Sequence, residues 1–292
     1  MLDKSAFCKV VTKDQLECLH INHPNFFAEI CFQGAQLTQF VPKNESAFIW
    51  LSPESQYKKQ QGLRGGIPIC WPWFGGLEKN PSAIKNQAKE TDVAHGFVRT
   101  LDWKLTDINE SAHGVEIIMT ISHDDQTLEI WPFEFDLQCH FKLSNDLEVN
   151  LTTFNLSNKT MNYSQALHSY FPTNNIQRTK ILGAENQLYI DALDGWSKKC
   201  QKGTIGISEE TDRIYFGKSE YSILTPNHLT RVVSNSQSSV IWNPWIAKSK
   251  RLSQFPENGF ESMLCIESAN ALDDHVSLAP SSAHTLTVNI SR

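Results

Sequence analysis

The sequence predicts an all-β protein built as one large antiparallel β-sandwich. Apolar and polar residues alternate along much of the chain, which is the period of a half-buried β-strand. Clusters of Gly, Pro, Asn, Asp and Ser separate these runs and are typical of turns. No amphipathic segment is longer than about three helical turns. Together these observations favour two packed antiparallel sheets.

A hairpin over residues 135–151 is the clearest predicted element. Apolar residues occupy every second position from Phe135 to Leu143, Ser-Asn-Asp follows at 144–146, and the alternation resumes at Leu147. Residues 114–121 and 286–290 predict two further strands, the second of them after a turn at 280–282. Residues 75–91 are polar and rich in Gly and Pro, so we expect a long loop there, of the kind that often has a function.

Length and composition indicate a single globular domain over residues 1–292. Apolar residues make up 40% of the chain and charged residues 20%, which is enough apolar material for a sizeable core. No internal repeat or linker divides the chain. The formal charge of −6, without any basic cluster, argues against a nucleic-acid partner. We expect the protein to be a monomer.

Cysteine usage and the N-terminus favour a cytoplasmic protein. The seven cysteines are odd in number and none forms a CxxC pair, which argues against a zinc ribbon, a redox pair or a complete disulfide framework. No signal peptide and no apolar run of membrane-spanning length occurs, so we expect no membrane partner.

Two segments combine arginine with glycine near the predicted loop. Arg64 precedes a Gly pair, which lets backbone approach a ligand closely, and its guanidinium suits phosphate or carboxylate. A tight turn with a surface arginine is the alternative. His95 and Arg99 are four residues apart, and on an extended strand they share one face and grip one ligand. A structural histidine is the alternative there.

Two further residues are candidates because of their surroundings. His168 lies among apolar residues just before a proline, and an imidazole titrates near neutral pH, which suits proton transfer. Glu267 follows the apolar run 263–266, and a carboxylate within a buried strand needs a partner. A surface glutamate results instead if the strand ends at Ile266. Asp212 follows Glu209 and Glu210, and these surroundings alone are typical of a solvated acidic turn.

These segments resemble the glucose-6-phosphate 1-epimerase (hexose-6-phosphate mutarotase) branch of the aldose 1-epimerase family. The matching signatures are Arg-Gly-Gly-Ile-Pro at 64–68, His-Gly-Phe-Val-Arg at 95–99, Leu-His-Ser-Tyr-Phe at 167–171, Trp-Asn-Pro-Trp at 242–245 and the C-terminal Glu267. The resemblance covers nearly the whole chain and implies the galactose-mutarotase-type supersandwich. One departure is Ala94, where some relatives have a glutamine.

The resemblance also implies a reaction and a role for each residue. Glu267 is the base at the anomeric hydroxyl and His168 the acid at the ring oxygen, while His95 and Asp212 contact the sugar. Arg64 and Arg99 are expected to bind the phosphate of a hexose 6-phosphate.

We expect no cofactor and no metal, because the sequence has no HExxH, P-loop or GxSxG motif. Two alternatives remain open at this point. One is a carbohydrate-binding sandwich without catalysis, and the other is a glycoside hydrolase or lyase, which normally uses two carboxylates.

Overall fold

The computed structural model describes residues 2–292, and antiparallel strands make up most of it. In chain order the strands are β1 (Cys8–Lys13), β2 (Leu16–His23), β3 (Phe26–Cys31), β4 (Gln36–Pro42), β5 (Ile69–Cys70), β6 (Lys104–Glu110), β7 (Val115–Ser122), β8 (Phe135–Leu143), β9 (Leu147–Asn155), β10 (Met161–Tyr163), β11 (Gln165–Leu167), β12 (Tyr170–Pro172), β13 (Lys180–Leu182), β14 (Leu188–Asp191), β15 (Ser197–Cys200), β16 (Ile205–Gly206), β17 (Thr211–Phe216), β18 (Glu220–Leu224), β19 (Leu229–Ser234), β20 (Ser238–Asn243), β21 (Met263–Asn270), β22 (Val276–Leu278) and β23 (Ala283–Ser291).

Helices in the described residues are short. The α-helices are α1 (Ser82–Lys85), α2 (Asp125–Ile130) and α3 (Trp245–Ser249). The 3₁₀ helices are Leu2–Lys4, Leu77–Lys79, Val98–Thr100, Ile176–Arg178, Gly259–Glu261 and Leu272–Asp274. Among residues 2–292, no helix has the length and apolar character that crossing a membrane requires.

Two large sheets form the sandwich. One has the strand order β15-β14-β17-β20-β21-β11-β5, with β12 also pairing with β21, and the other has the order β16-β13-β18-β19-β23-β9-β8-β7-β6. Smaller sheets contain β1-β2-β3-β4 and β10-β22. Ile266 of β21 and Leu286 of β23 belong to one buried apolar core, so this face of the first large sheet packs against the second. The predicted all-β sandwich is confirmed.

Alternation along β21 assigns its two faces. Leu264 and Ile266 lie in the main core, and Cys265 and Glu267 therefore point to the opposite face of the sheet. All eight residues of this strand are buried, so something must also cover that second face. A strand covered on both sides is typical of the centre of a large sheet.

Most strands predicted from the sequence occur at the expected positions. The hairpin consists of β8 and β9, which pair in register up to Leu143 and Leu147, and β7 and β23 occupy the two other predicted strand positions. The predicted loop 75–91 is present but contains the helical turns Leu77–Lys79 and Ser82–Lys85. Ile84 is fully buried, which explains why this polar segment folds back onto the protein.

Cys18 and Cys31 form one disulfide that the sequence reasoning did not predict. They are directly opposite each other in the β2–β3 ladder, while the other five cysteines are free. The two are 13 residues apart along the chain. Their proximity depends on strand register, which is why a search for closely spaced cysteines missed them.

Candidate active site

A cleft with a volume of about 350 Å³ lies on the outward face of the first large sheet, opposite the main core. Strands β17, β20 and β21 provide its floor, and loops from both halves of the chain provide its rim. The lining residues are Arg64, Phe74, Gly75, Gly76, Lys79, Asn80, His95, His168, Tyr170, Ala192, Trp196, Asp212, Ile214, Val240, Trp242, Lys248, Leu252, Glu267, Ala271 and Leu272.

Strand register arranges the floor in two rows. In one row Asp212, Trp242, Cys265 and Tyr170 are neighbours across β17, β20, β21 and β12. In the other row, two residues further along each strand, Ile214 neighbours Val240 and Val240 neighbours Glu267. Because side chains alternate between faces, both rows point into the cleft or line its base.

His168 and Glu267 meet at the bottom of the cleft. The distance between His168 Nε2 and Glu267 Oε1 is 3.4 Å, longer than an ordinary N–H···O hydrogen bond. Both side chains are largely buried, with exposed fractions of 12% and 3%. His168 Nδ1 and Glu267 Oε2 have no hydrogen-bond partner among the described residues. Buried polar atoms without partners are rare in proteins, so an unsatisfied pair of this kind marks the cleft floor as a candidate for a catalytic role.

Packing fixes the orientation of His168. Its backbone N–H donates to the carbonyl oxygen of Pro68 at 3.0 Å. Its ring stacks on Tyr170, with centroids 4.8 Å apart and an interplanar angle of 8°. Trp242 presents its ring at 77° to the imidazole, with centroids 6.3 Å apart. The imidazole therefore has little freedom to rotate away from Glu267.

Burial shifts the pKa values of this pair in opposite directions. It raises the pKa of the Glu267 carboxyl well above the usual 4.5, and the Asp212 carboxylate adds to the effect. Burial also lowers the pKa of His168 well below 6.5, with further contributions from His95 and Arg64. Both shifts favour the neutral form of the group concerned, so they favour the pair with its shared proton on Glu267.

His95 lies beside this pair, but in a turn and not on the extended strand that the sequence predicted. Its φ is 65°, Gly96 has a φ of 67°, and Val98–Thr100 form a 3₁₀ helix. A Cβ at Gly96 would lie 1.8 Å from the carbonyl oxygen of Trp71, so only glycine fits against this backbone. This close approach bends the segment, and His95 and Arg99 do not share a strand face.

The turn directs the two side chains differently. His95 lines the cleft, and its ring centroid is 5.7 Å from that of His168. His95 Nδ1 accepts a hydrogen bond from the Gly75 N–H at 3.3 Å, which assigns the proton of the neutral ring to Nε2. Burial, Arg99 and Arg64 lower the pKa of His95 to about 3. Arg99 donates from Nη2 to the carbonyl oxygen of Ala94 at 2.9 Å and is not among the cleft-lining residues.

Arg64 reaches the cleft because the two following glycines pack against neighbouring backbone. A Cβ added at Gly65 would lie 2.6 Å from the carbonyl oxygen of Trp50, and a Cβ added at Gly66 would lie 2.3 Å from the carbonyl oxygen of Leu37. Both glycines also have a positive φ. This tight passage leaves Arg64 on the cleft wall, where its charge lowers the pKa of both His95 and His168.

Asp212 lies on β17 at the cleft floor, next to a lysine that the sequence reasoning did not single out. Lys248 Nζ is 3.9 Å from Asp212 Oδ2 and 3.2 Å from Glu210 Oε1. Burial raises the pKa of Asp212, and the negative charges of Glu210 and Asp191 add to the shift, while Lys248 opposes it. Lys79 and Trp196 also line the cleft without having been predicted, since no motif distinguishes them from other loop residues.

Two groups of side chains in the described residues have the spacing of metal ligands. One consists of Cys18, Glu29 and Cys31, and the other of His168, Cys265 and Glu267, with candidate ligand atoms within 4.8 Å of one another. In the first group the cysteines are bonded to each other. The second group contains the acid–base pair at the cleft floor.

Comparison with known proteins gives consistent matches. The aldose 1-epimerase family model matches residues 17–291. A protein of Salmonella typhimurium strain LT2, provisionally named glucose-6-phosphate 1-epimerase, is 31% identical over 262 residues, which is 88% of this chain and 84% of that protein. Its counterpart in Escherichia coli strain K12, with the same provisional name, is 29% identical over 262 residues, with the same coverage of 88% and 84%.

Solved structures show the same fold. A provisionally assigned mutarotase from Salmonella typhimurium superposes with a TM-score of 0.89 at 27% identity, covering 100% of this chain and 95% of that one. Galactose 1-epimerase from Lactobacillus acidophilus NCFM superposes with a TM-score of 0.73 at 14% identity, with 98% of each chain covered. At that identity the likeness shows the fold alone.

Proposed function

The chain belongs to the aldose 1-epimerase family, and from this premise we propose that it interconverts the α and β anomers of glucose 6-phosphate. The observation that carries the proposal is the buried His168–Glu267 pair, 3.4 Å apart at the floor of the cleft, with one unpartnered polar atom on each side chain. Anomer exchange needs one proton removed and one added at nearby oxygens of a single substrate. A buried acid and base in contact meet that requirement.

In the proposed reaction, Glu267 takes the proton of the anomeric hydroxyl while His168 protonates the ring oxygen. The bond between C1 and the ring oxygen breaks, and C1 becomes an aldehyde. Rotation about C1–C2 exposes the other face, and ring closure returns both protons. No atom is gained or lost, and no redox change occurs.

The proton count of the pair agrees with this sequence of steps. An ionised Glu267 with a protonated His168 holds one proton, as does the neutral pair that burial favours in this structure. Hydroxyl groups of a bound sugar supply hydrogen bonds to the carboxylate, which favours its charged form. Substrate binding therefore prepares the pair for ring opening without any exchange of protons with solvent.

The other cleft residues have supporting roles in the proposal. His95, neutral and with its proton on Nε2, donates to a sugar hydroxyl, and Asp212 accepts from another. Arg64 binds the phosphate with its guanidinium. Arg99 was expected to do the same, but its hydrogen bond to Ala94 supports a role in holding the His95 turn.

We also propose that the protein is a cytoplasmic monomer that folds as one domain. A doubly charged hexose phosphate does not cross membranes unaided, so an enzyme acting on it belongs where that sugar is made. Light scattering coupled to size-exclusion chromatography tests the monomer, and cell fractionation tests the location.

Two-dimensional exchange NMR tests the proposed function directly. Exchange cross-peaks between the α and β anomers are recorded for glucose 6-phosphate, mannose 6-phosphate and free glucose, with and without the protein. We expect acceleration that is largest for a phosphosugar. A protein that binds these sugars but leaves their exchange at the spontaneous rate is the non-catalytic carbohydrate-binding sandwich instead, and release of sugar from oligosaccharides identifies a hydrolase.

A further inference from the structure

Two side chains from separate loops meet at the rim of the cleft. Lys79 belongs to the 3₁₀ helix Leu77–Lys79, and Trp196 lies at the tip of the β14–β15 hairpin. Lys79 Nζ lies over the indole ring, 5.6 Å from its centroid, and both residues line the cleft. We propose that they form a substrate clamp, in which Lys79 binds the 6-phosphate and Trp196 covers the sugar ring. This inference rests on the proposed function.

Trp196 is presented to the cleft in an unusual way. It has a φ of 59° directly after Gly195, with a φ of 56°, and a left-handed backbone is uncommon for a bulky residue. Its side chain is 38% exposed, and among the large apolar residues exposed in the described chain it is the aromatic one. Such strain without burial is typical of a functional position. An exposed indole beside a polar cleft offers a flat apolar face to the C–H groups of a pyranose.

Charge pairing distinguishes Lys79 and Arg64 from Lys248, the third cation of the cleft. The lining cations are Arg64, Lys79 and Lys248. Lys248 is already paired with Glu210 at 3.2 Å and lies 3.9 Å from Asp212. Among the described residues, neither Arg64 nor Lys79 has a carboxylate within 4.0 Å of its charged nitrogens. A dianionic phosphate needs cations that are not already neutralised, and these two supply them.

Binding by Lys79 has a consequence for Trp196. A cation over an exposed ring is held weakly, whereas a charge-assisted contact to phosphate is stronger. When a phosphosugar enters, Lys79 moves from the indole to the phosphate, and the uncovered indole face becomes available to the sugar. The loop containing residues 75–80 and the β14–β15 hairpin are thereby joined through the substrate. Free glucose has no phosphate for Lys79 to bind, but it can displace the weakly held ammonium from the exposed indole, so it engages only the Trp196 half of the clamp.

Substitution of Lys79 tests the phosphate half. Lys79→Met keeps the length of the side chain and removes its charge, and Lys89→Met is the matched control, an exposed lysine nearby that does not line the cleft. We expect Lys79→Met to raise KM for glucose 6-phosphate by about tenfold to a hundredfold, with kcat within about threefold and glucose exchange unchanged. Lys79→Arg should restore most of the lost affinity, and Lys89→Met should match the wild type.

Substitution of Trp196 tests the ring half. Trp196→Ala should raise KM for both glucose and glucose 6-phosphate, and Trp196→Phe should retain most of the affinity because it keeps an aromatic face. A second readout is indole fluorescence during titration with inorganic phosphate. Phosphate should draw Lys79 away from the indole ring and thereby change the fluorescence of the wild type and of Lys89→Met. It should not change the fluorescence of Lys79→Met or Trp196→Phe.

The outcomes separate failure of the clamp from failure of the proposed function. If the wild type does not accelerate exchange of any sugar, the proposed function fails. If the wild type is active and Lys79→Met behaves like Lys89→Met, or loses glucose and glucose 6-phosphate activity equally, the clamp alone is overturned. An unchanged KM in Trp196→Ala removes the role assigned to the indole.

Discussion

Glu267 is a carboxylate on a strand whose eight residues are all buried, and its Oε2 atom has no hydrogen-bond partner among the described residues. Burial of such a group is costly, and a fold that retains it gains something other than stability. Burial of His168 is costly for the same reason, because its Nδ1 atom has no partner among the described residues. Its ring is fixed between Tyr170 and Trp242. Unsatisfied polar atoms on two adjacent, immobilised side chains are the expected features of preorganised proton-transfer groups.

Replacement of either residue should stop the exchange without unfolding the protein. We expect Glu267→Gln and His168→Asn each to slow anomer exchange by about two orders of magnitude or more, while the phosphosugar still binds. The double variant should be far less than multiplicatively worse, because both groups serve one step. His95→Asn should retain more activity, since its proposed task is orientation. Exchange NMR and a binding titration are the measurements, and near-normal exchange in either single variant contradicts the role of that residue.

The pH dependence follows from the opposite pKa shifts of the pair. His168, with its pKa lowered, takes up a proton at a lower pH than an ordinary histidine, and Glu267, with its pKa raised, loses its proton at a higher pH than an ordinary glutamate. Neither group is therefore expected to titrate at its ordinary pH. With free glucose as substrate, kcat/KM should show no inflection near the ordinary histidine value of 6.5.

Glucose rather than its phosphate is the substrate for this measurement, because a phosphate monoester itself titrates near pH 6. The spontaneous rate is subtracted at each pH. An inflection at pH 6.5 in the glucose profile shows that His168 titrates normally, and it removes the basis for a shared proton.

Individual site residues could be found from the sequence because each lies in a short, recognisable motif. His168, Glu267, His95, Arg64 and Asp212 all line one cleft. Their mutual distances could not be found, because the contact between His168 and Glu267 depends on the pairing of β11, β12 and β21 across about one hundred residues of intervening chain. Register of this kind is set by the packing of the whole sheet.

At the scale of single elements, the turn containing His95 shows how local pattern misleads. The spacing of His95 and Arg99 predicted one shared face on an extended strand, but the approach of Gly96 to the Trp71 carbonyl imposes a turn. The turn separates the two arginines that the sequence assigned to the phosphate. Arg64 faces the cleft, and Arg99 is hydrogen-bonded to Ala94.

This separation predicts different substrate dependences for the two arginines. Arg64→Ala should weaken handling of glucose 6-phosphate by about 1.5 to 3 kcal/mol and that of glucose much less, because it removes a charge-assisted phosphate contact. Arg99→Ala should impair both sugars alike, because it loosens the turn that holds His95. The ratio of kcat/KM values for the two sugars is the measurement. If Arg99→Ala selectively impairs the phosphosugar, the original assignment of Arg99 to the phosphate is right.

In the sheet β1-β2-β3-β4, Glu29 forms a buried polar network outside the cleft. Its carboxylate, 1% exposed, accepts hydrogen bonds from Lys13, Thr38 and Tyr57 at 2.7 to 3.1 Å. Burial alone raises the pKa of Glu29, but these three hydrogen bonds outweigh it and lower the pKa below 4.5. The network therefore stabilises the fold above that pH, and the contribution is lost as pH falls through the lowered pKa.

Glu29→Gln should accordingly reduce the free energy of unfolding by about 1.5 to 3 kcal/mol at neutral pH, because it removes the charge-assisted contact with Lys13, which is 31% exposed. The difference from wild type should shrink below pH 4.5, the usual value for this carboxyl. Urea unfolding at several pH values measures this. Glu148→Gln, which disrupts a surface pair with Lys142, is the control, with an expected loss of less than about 1 kcal/mol. Equal losses in both variants contradict a special role for the network.

For the whole molecule, the sequence predicted the architecture better than it predicted the cleft. Period-2 alternation places side chains on two faces, so β7, β8, β9 and β23 were evident without knowledge of their partners. The cleft mouth is different, because loops far apart in the chain form it. Lys79 and Trp196 are 117 positions apart and meet only because the β14–β15 hairpin and the 75–80 loop flank the same sheet face. No periodic sequence pattern identifies loop residues of this kind.

Independence from metal ions is the expectation that applies to the molecule as a whole. Of the two ligand-like groups in residues 2–292, Cys18, Glu29 and Cys31 are occupied by a disulfide and by hydrogen bonds to the carboxylate. The other group includes His168 and Glu267, which the proposed reaction needs as free acid and base. An ion bound there would block proton transfer, because ligands must be deprotonated and their lone pairs engaged.

Dialysis against EDTA should therefore leave anomer exchange at its full rate, or raise it if the preparation carries adventitious metal at the cleft floor. No nucleotide or other cofactor should be required. The exchange rate is measured before chelation, after chelation, and after return of Mg²⁺ or Zn²⁺, with circular dichroism as the control for intact folding. Loss of the rate on chelation, with recovery on adding a divalent ion, means that a metal participates and that the roles of His168 and Glu267 must be reassigned.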